Sequence, residues 1–246
     1  IMGVKVPEKG LFKWRKVIKA VKKRVNVEQP EVQVIVQEFN PKELGYNNWF
    51  RQYIIPDITV VTSVTNGRMQ VDYPVEQVAE EMIALANYSR LAIINRDDVE
   101  GRFAGFLTNP NITTYGTTLV AEYYFDQHDF SLVDGYRGNI MSPENIDGVE
   151  ATIHLLGEHN MRPAIAAAAV GYKLGVTEHN IVAGIASLHS LPGRMNVLEG
   201  ADKTWLIDDS YSSTPATALS ALQTLYSLNV PQRIAVFGNM NGLKGV

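Results

Sequence analysis

The sequence predicts an α/β fold: a doubly wound, mostly parallel sheet followed by the start of a second α/β unit. Two observations carry this. β-Branched runs at 32–39, 57–64 and 90–98 are separated by a short helix and by a longer helix-periodic stretch, and another helix-periodic stretch precedes the first of them; strands alternating with helices indicate parallel strands joined by crossovers. Near the C-terminus, 204–208, 214–228 and 233–239 repeat the strand, helix, strand order of one βαβ unit. The 246 residues are enough for one large or two ordinary cores.

Each element has its own signal. Residues 11–24 place Leu11, Trp14, Val17, Ile18 and Val21 at helical spacing, with lysines and arginines between them; the basic residues read as a solvated helix face rather than a nucleic-acid or membrane patch. The run VQVIVQEF at 32–39 reads as a strand. A loop with Pro41 and Gly45 and a short helix follow, then the strand DITVVTSV at 57–64. Residues 75–88 form a helix with Val75, Val78, Ala79, Met82 and Leu85 on one face, and RLAIINRDD at 90–98 is a strand ending in a polar turn. In such sheets ligands sit at the carboxyl ends of the strands, where Glu38, Ser63 to Arg68 and Asn95 to Asp98 fall.

Residues 100–152 change character. Aromatics and threonines alternate with polar residues, punctuated by Gly and Asn, which predicts short antiparallel strands. The alanine-rich run at 160–174 is a helix stopped by Gly175. Thr177 caps the next helix, which runs to about His189, with Glu178 in its first turn. After the strand at 204–208, Thr214 followed by Pro215 supplies an N-cap and a proline at the first helical position.

Composition narrows the function classes. A net charge of −4 and 20% charged residues call for neither nucleic acid nor an acidic surface as partner. There is no cysteine, so disulfides and thiolate metal sites are excluded, and a reducing cytoplasm fits. No apolar run is long enough to span a bilayer, and no signal-peptide pattern follows Ile1. A start at Ile1 suggests a chain whose own N-terminus lies upstream.

Three polar clusters stand out between 155 and 215: Glu158-His159-Asn160, Gly193-Arg194 and Asp208-Asp209-Ser210-Tyr211. Cores do not need such clusters, whereas a site for a charged, hydrogen-bonding ligand between two domains does. Read alone, each has a plainer alternative. Asn160 could be a helix N-cap, Arg194 an exposed loop arginine, Asp209 a turn-forming aspartate, and Tyr211 a filler of the domain hinge. Glu38 could be an exposed strand-end carboxylate.

Four segments in this order, VIVQEF with IIPDITVVTSV downstream, LLGEHN leading into AAAA, PGRM, and IDDSYSSTP followed by RIAVFGNM, resemble the Mur ligases. These are ATP-dependent amide-forming enzymes of peptidoglycan synthesis, and the chain looks most like the branch that adds D-alanyl-D-alanine to the UDP-muramoyl tripeptide. The resemblance implies a central ATPase domain over 1–198 and the opening of a Rossmann-like C-terminal domain over 199–246. It implies ATP and Mg2+ as cofactors, an acyl-phosphate route, and a UDP-muramoyl peptide and an amino acid or dipeptide as substrates, in the cytoplasm. Residue by residue, it implies Glu38 as catalytic and magnesium-binding, His159 and Asn160 on the nucleotide, Arg194 on ATP, Asp209 on the ribose hydroxyls and Tyr211 near the adenosine.

The chain also departs from the family pattern. No GxxxxGK[ST] loop occurs in it, so nothing here cradles the β- and γ-phosphates in that way, and the 246 residues by themselves are expected to show no ligase turnover. Arg68 stands where the family often has a metal-binding histidine, Met82 where several members have a lysine, and Pro163 where the family has a second asparagine. Two other readings are a Mur-like protein without catalysis that serves as a binding or scaffold module, and an amide ligase of the folylpolyglutamate or cyanophycin synthetase type.

Overall fold

The computed structural model describes residues 16, 19–20, 34–41, 43–64, 73–98 and 104–240. Within the first expected helix, Lys16, Lys19 and Ala20 are helical; the rest of 11–24 lies outside the described residues, as does Arg68.

A parallel sheet forms from β1 (Ile58–Val61), β2 (Leu91–Asn95) and β3 (Ile112–Tyr115), in that order. Both pairs are parallel, with Val60 opposite Ile93 and Ile93 opposite Thr113. The short helix α1 (Tyr46–Phe50) precedes β1, and α2 (Val75–Tyr88) is the crossover to β2. Side chains alternate across the sheet with the strand period of two. On β2, Ala92 and Ile94 pack with Val61 and with Ala79, Ile83 and Ala86 of α2. Ile93 points the other way, into the core shared with α3 (Glu158–Lys173). Helices therefore cover both faces, as a doubly wound sheet requires. The contacting ridge of α2 is rotated from the expected face: Ile83 is buried and Met82 only half-buried. Glu81 is buried too, and its carboxylate accepts the Gly45 and Asn47 amides at 2.9 and 2.7 Å, so α2 also holds the start of α1.

From Tyr124 to Ile153 the chain forms antiparallel strands as expected of 100–152, whereas β3, within that range, joins the parallel sheet instead. β4 (Tyr124–Ser131), β5 (Gly135–Ser142) and β6 (Asn145–Ile153) make an up-and-down meander. Its inner face (Phe125, Tyr136, Ile140, Ala151, Ile153) closes on Ala164, Ile165, Ala168 and Ala169 of α3 and on Ile181 and Ile185 of α4 (Glu178–Ala186). The small alanines let α3 lie close between two sheets, and burying an isoleucine such as Ile165 contributes about 1.5–3 kcal/mol. Gly175 ends α3 as expected: its amide reaches Tyr172 O at 3.0 Å, and Val176 N reaches Gly171 O at 2.9 Å, which satisfies two terminal carbonyls. Thr177 caps α4 by accepting from Asn180 N, and α4 stops at Ala186, three residues short of His189.

The C-terminal portion holds β7 (Asn196–Glu199), β8 (Trp205–Asp208) and α5 (Pro215–Ser227). β7 was not foreseen from the sequence; it pairs antiparallel with β8, Asn196 opposite Asp208. α5 begins with the expected Thr214 cap, completed into a capping box by Thr217.

Two expected strands are not strands. Residues 34–40 and 232–240 have no regular secondary structure, and Val36 and Val236 are about nine-tenths exposed, 90% and 91%. A β-branched run can form a strand only beside a partner that completes its hydrogen bonds. Among the described residues, no strand pairs with either run. No helix of the described residues is long and apolar enough to cross a membrane.

Candidate functional site

The turns at 191–195 and 209–211, which carry Arg194, Asp209 and Tyr211, meet beside the β7–β8 pairing, and the N-terminus of α3 lies near enough for the Asp209 carboxylate to act on His159. The β7–β8 pairing makes this meeting possible, because it places the turn at 191–195 beside the turn at 209–211.

Gly193 is where the two turns approach most closely. Its φ is +72°, and a Cβ there would stand 3.0 Å from the Tyr211 backbone nitrogen, so any larger residue would be strained and crowded. Its carbonyl accepts the Tyr211 amide at 3.0 Å. The next two residues bind the facing turn. The Arg194 guanidinium lies 4.2 Å from the centre of the Tyr211 ring, a cation–π contact. The buried Met195 donates its amide to Asp209 Oδ1 at 3.1 Å. Asp209 thus braces the turn as well as facing the cluster. Its neighbour Asp208 is half-buried; hydrogen bonds from Ser210 hold its carboxyl below the usual aspartate range.

α3 begins at Glu158 behind Gly157, which offers no side-chain cap. A Cβ on Gly157 would come within 2.6 Å of the His159 ring and 3.1 Å of Thr224 Oγ1, so α5 reaches this corner through Thr224, the buried residue on that helix. The Gly157 amide donates to Tyr136 Oη at 3.1 Å. Burial lowers the His159 pKa below its ordinary 6.5; Asp209 and Glu158 oppose this and Arg162 adds to it. The ring is therefore mostly neutral at pH 7, with the Asp209 carboxylate near enough to act on it. Asn160 is the third residue of the helix, not its N-cap, and its Nδ2 donates to Leu156 O at 2.7 Å. Pro163 is exposed and sits in the second turn, two residues deeper than expected because α3 starts earlier. It removes the amide that would bond His159 O.

Glu38 is not at a strand end. It is exposed in the irregular 34–40 segment, and among the described residues no group of three His, Asp or Glu side chains is placed to hold a metal. Magnesium in phosphoryl-transfer sites takes one or two carboxylates plus substrate phosphates, so Glu38 suits it only as a single ligand beside a bound polyphosphate.

Sequence reading missed a second cluster at the carboxyl ends of β2 and β3. Arg96, Asp97, Thr117, Thr118, Val120, Glu158 and Arg162 line a cavity of about 410 Å³ there. Asp97 fell in a turn marked as a strand end, but its partner Arg162 is 65 positions away, and no local signal joins them.

Comparison with known proteins identifies the chain. The Mur ligase middle domain matches residues 16–171. The UDP-N-acetylmuramoyl-tripeptide–D-alanyl-D-alanine ligase of Escherichia coli (strain K12) is 36% identical over 92 residues, 37% of this chain and 20% of that protein. The Bacillus subtilis (strain 168) ligase of the same name is 24% identical over 212 residues, 85% of this chain and 45% of that protein. The chain thus spans less than half the length of these curated relatives. In structure, MurF from Acinetobacter baumannii superposes with a TM-score of 0.66 at 19% identity, covering 79% of this chain and 42% of that one. MurF from Thermotoga maritima in complex with ADP gives 0.62 at 18% identity, covering 75% and 42%. At such identities these two show a shared fold, and with the family match they lead to one conclusion: the chain belongs to the Mur ligase family.

Proposed function

We propose that this chain supplies the adenosine-facing half of the ATP site of an ATP-dependent Mur-type amide ligase. In that enzyme an ATP-derived phosphoryl group activates the carboxylate of a UDP-muramoyl peptide as an acyl phosphate, and the amine of an amino acid or of D-alanyl-D-alanine displaces phosphate. ATP and Mg2+ are its cofactors and the cytoplasm is its compartment. Residues 1–198 belong to the central ATP-binding domain, and 199–246 open a Rossmann-like domain.

The observation that supports this reading is the contact between the turns that carry Arg194, Asp209 and Tyr211, with His159 and Asn160 at the nearby start of α3. Each has a role suited to its chemistry. Asp209 accepts hydrogen bonds and can take ribose hydroxyls through the oxygen not bonded to Met195. Tyr211, exposed and paired with Arg194, offers a ring face and a cation to a base and a phosphate. The Glu158 and His159 amides at the start of α3 add donors. Glu38 is the magnesium ligand in this reading, brought into play by the phosphates. Catalysis of phosphoryl transfer is mostly positioning and neutralisation of charge, and this chain contributes the positioning.

Calorimetric titration of the chain with Mg-ATP tests the proposal. The wild-type chain binds saturably. Asp209→Ala weakens binding about tenfold or more, the loss expected for one hydrogen-bonding charged group. No binding, or equal binding by both, would sink the assignment.

A further inference from the structure

The first turn of α3 is weak by its own chemistry. Gly157 caps it without a side chain, and Pro163 deletes a hydrogen bond in the next turn. Yet this turn carries both His159 and Asn160. Something outside the helix has to fix it.

The cluster beyond β2 and β3 is placed to do so. Arg162, the fifth residue of α3, donates from Nε to Asp97 Oδ2 at 3.1 Å, and the Asp97 side chain is only 9% exposed. The same carboxylate oxygen accepts the Thr117 amide at 2.8 Å. The Thr117 hydroxyl lies 2.9 Å from both Asp97 Oδ2 and Glu158 Oε1; having one proton, it donates to one at a time. Asp97 is itself fixed to the sheet. Its amide donates to Asn95 Oδ1 at 3.1 Å, and Asn95 Nδ2 donates to Thr62 O at 2.7 Å. An unbroken path of hydrogen bonds thus runs from the end of β1, through the end of β2 and the turn after β3, to the first two turns of α3. Gly116 makes room for it, since a Cβ there would stand 2.7 Å from Asp97 Oδ1.

We propose that Asp97 and Arg162 are positioning residues for the nucleotide site: their ion pair ties the N-terminal two turns of α3 to the carboxyl edge of the parallel sheet and so sets where His159 and Asn160 stand. The proposal rests on the reading that this turn faces a nucleotide. Neither residue touches the ligand; they act through the helix. Charge on both partners is needed, because a neutral group at either end leaves the other charge half-buried and unpaired.

The test compares wild type with Arg162→Met, Arg162→Lys and Asp97→Asn by amide hydrogen exchange and by Mg-ADP titration. In Arg162→Met and Asp97→Asn, the amides of 159–162 exchange about tenfold faster while those of 166–170 keep their protection, and ADP binds about tenfold more weakly. Arg162→Lys, which keeps the charge, recovers most of both effects. Loss of thermal stability with unchanged ADP affinity would mark the pair as merely structural and overturn the proposal, as would unchanged exchange at 159–162. A wild-type chain that binds no ADP would overturn the nucleotide reading and the positioning role with it. A wild type and an Arg162→Met variant that bind equally well would overturn the positioning role alone.

Discussion

The body of the molecule, 57–186, and its C-terminal arm, 196–240, are made from similar sequence but stand in different states. In the body, Ile83, Ile93 and Ile153 are fully enclosed at 0% exposure. In the arm, Tyr226 and Val236 are 81% and 91% exposed, and Leu206, Leu219, Ile234 and Phe237 are exposed as well. The difference separates what local sequence can build from what needs a neighbour. α5 forms because Thr214, Pro215 and Thr217 start a helix by local hydrogen bonds. The run RIAVFGN does not form a strand, because its partners would be non-local and none pairs with it among the described residues. The body has both kinds of support, and its core makes it stable.

The largest expected effect breaks this symmetry directly. Ile153→Ala in the body costs about 2–5 kcal/mol, read as a lower denaturation midpoint. Val236→Ala in the arm changes stability by no more than about 0.5 kcal/mol. Equal losses would show that the arm is packed in solution.

The two threonine caps sharpen the contrast at a smaller scale. Thr177 and Thr214 each cap a helix by accepting an amide three residues on. Replacing either by alanine removes about 1 kcal/mol. Thr177→Ala, in a helix packed on the core through Ile181 and Ile185, lowers the cooperative unfolding midpoint. Thr214→Ala speeds amide exchange along α5 and leaves that midpoint nearly unchanged.

The smallest effect lies where the two regions touch. Burial lowers the His159 pKa below 6.5, so between the folded and unfolded pKa values the unfolded chain binds more protons, and stability rises with pH there. The His159 contribution is therefore complete above about pH 6.5 and is lost progressively as pH falls below it. A His159→Gln chain, compared with wild type by thermal melts across pH 5 to 8, should show a flatter profile below about pH 6.5. Parallel profiles would contradict the assignment.

The same contrast explains how far the sequence could be read. Helices at 75–88, 160–174 and 214–228 were legible to within two residues, because period, cap and stop are local. The parallel strands at 57–64 and 90–98 were legible because each β-branched run found a neighbour. The runs at 32–39 and 233–239 carry the same signal and fail where described, for want of that neighbour. In the site, His159, Asn160, Arg194, Asp209 and Tyr211 were each visible as polar departures from core composition. The contacts that join them were not: the Met195 amide on Asp209, Thr224 against Gly157, and Asp97 on Arg162 all bring together distant positions. For Glu38 the expected strand end is absent among the described residues, and its magnesium role rests on the family resemblance alone.

The central claim is that the corner shared by the body and the arm is a nucleotide site. Backbone amide NMR during titration with Mg-ADP tests it most directly. The account predicts saturable shifts concentrated at 157–161, 193–195 and 209–211, with the meander at 124–153 nearly silent apart from Tyr136, whose hydroxyl accepts the Gly157 amide. Shifts centred elsewhere, or none at saturating nucleotide, would contradict it.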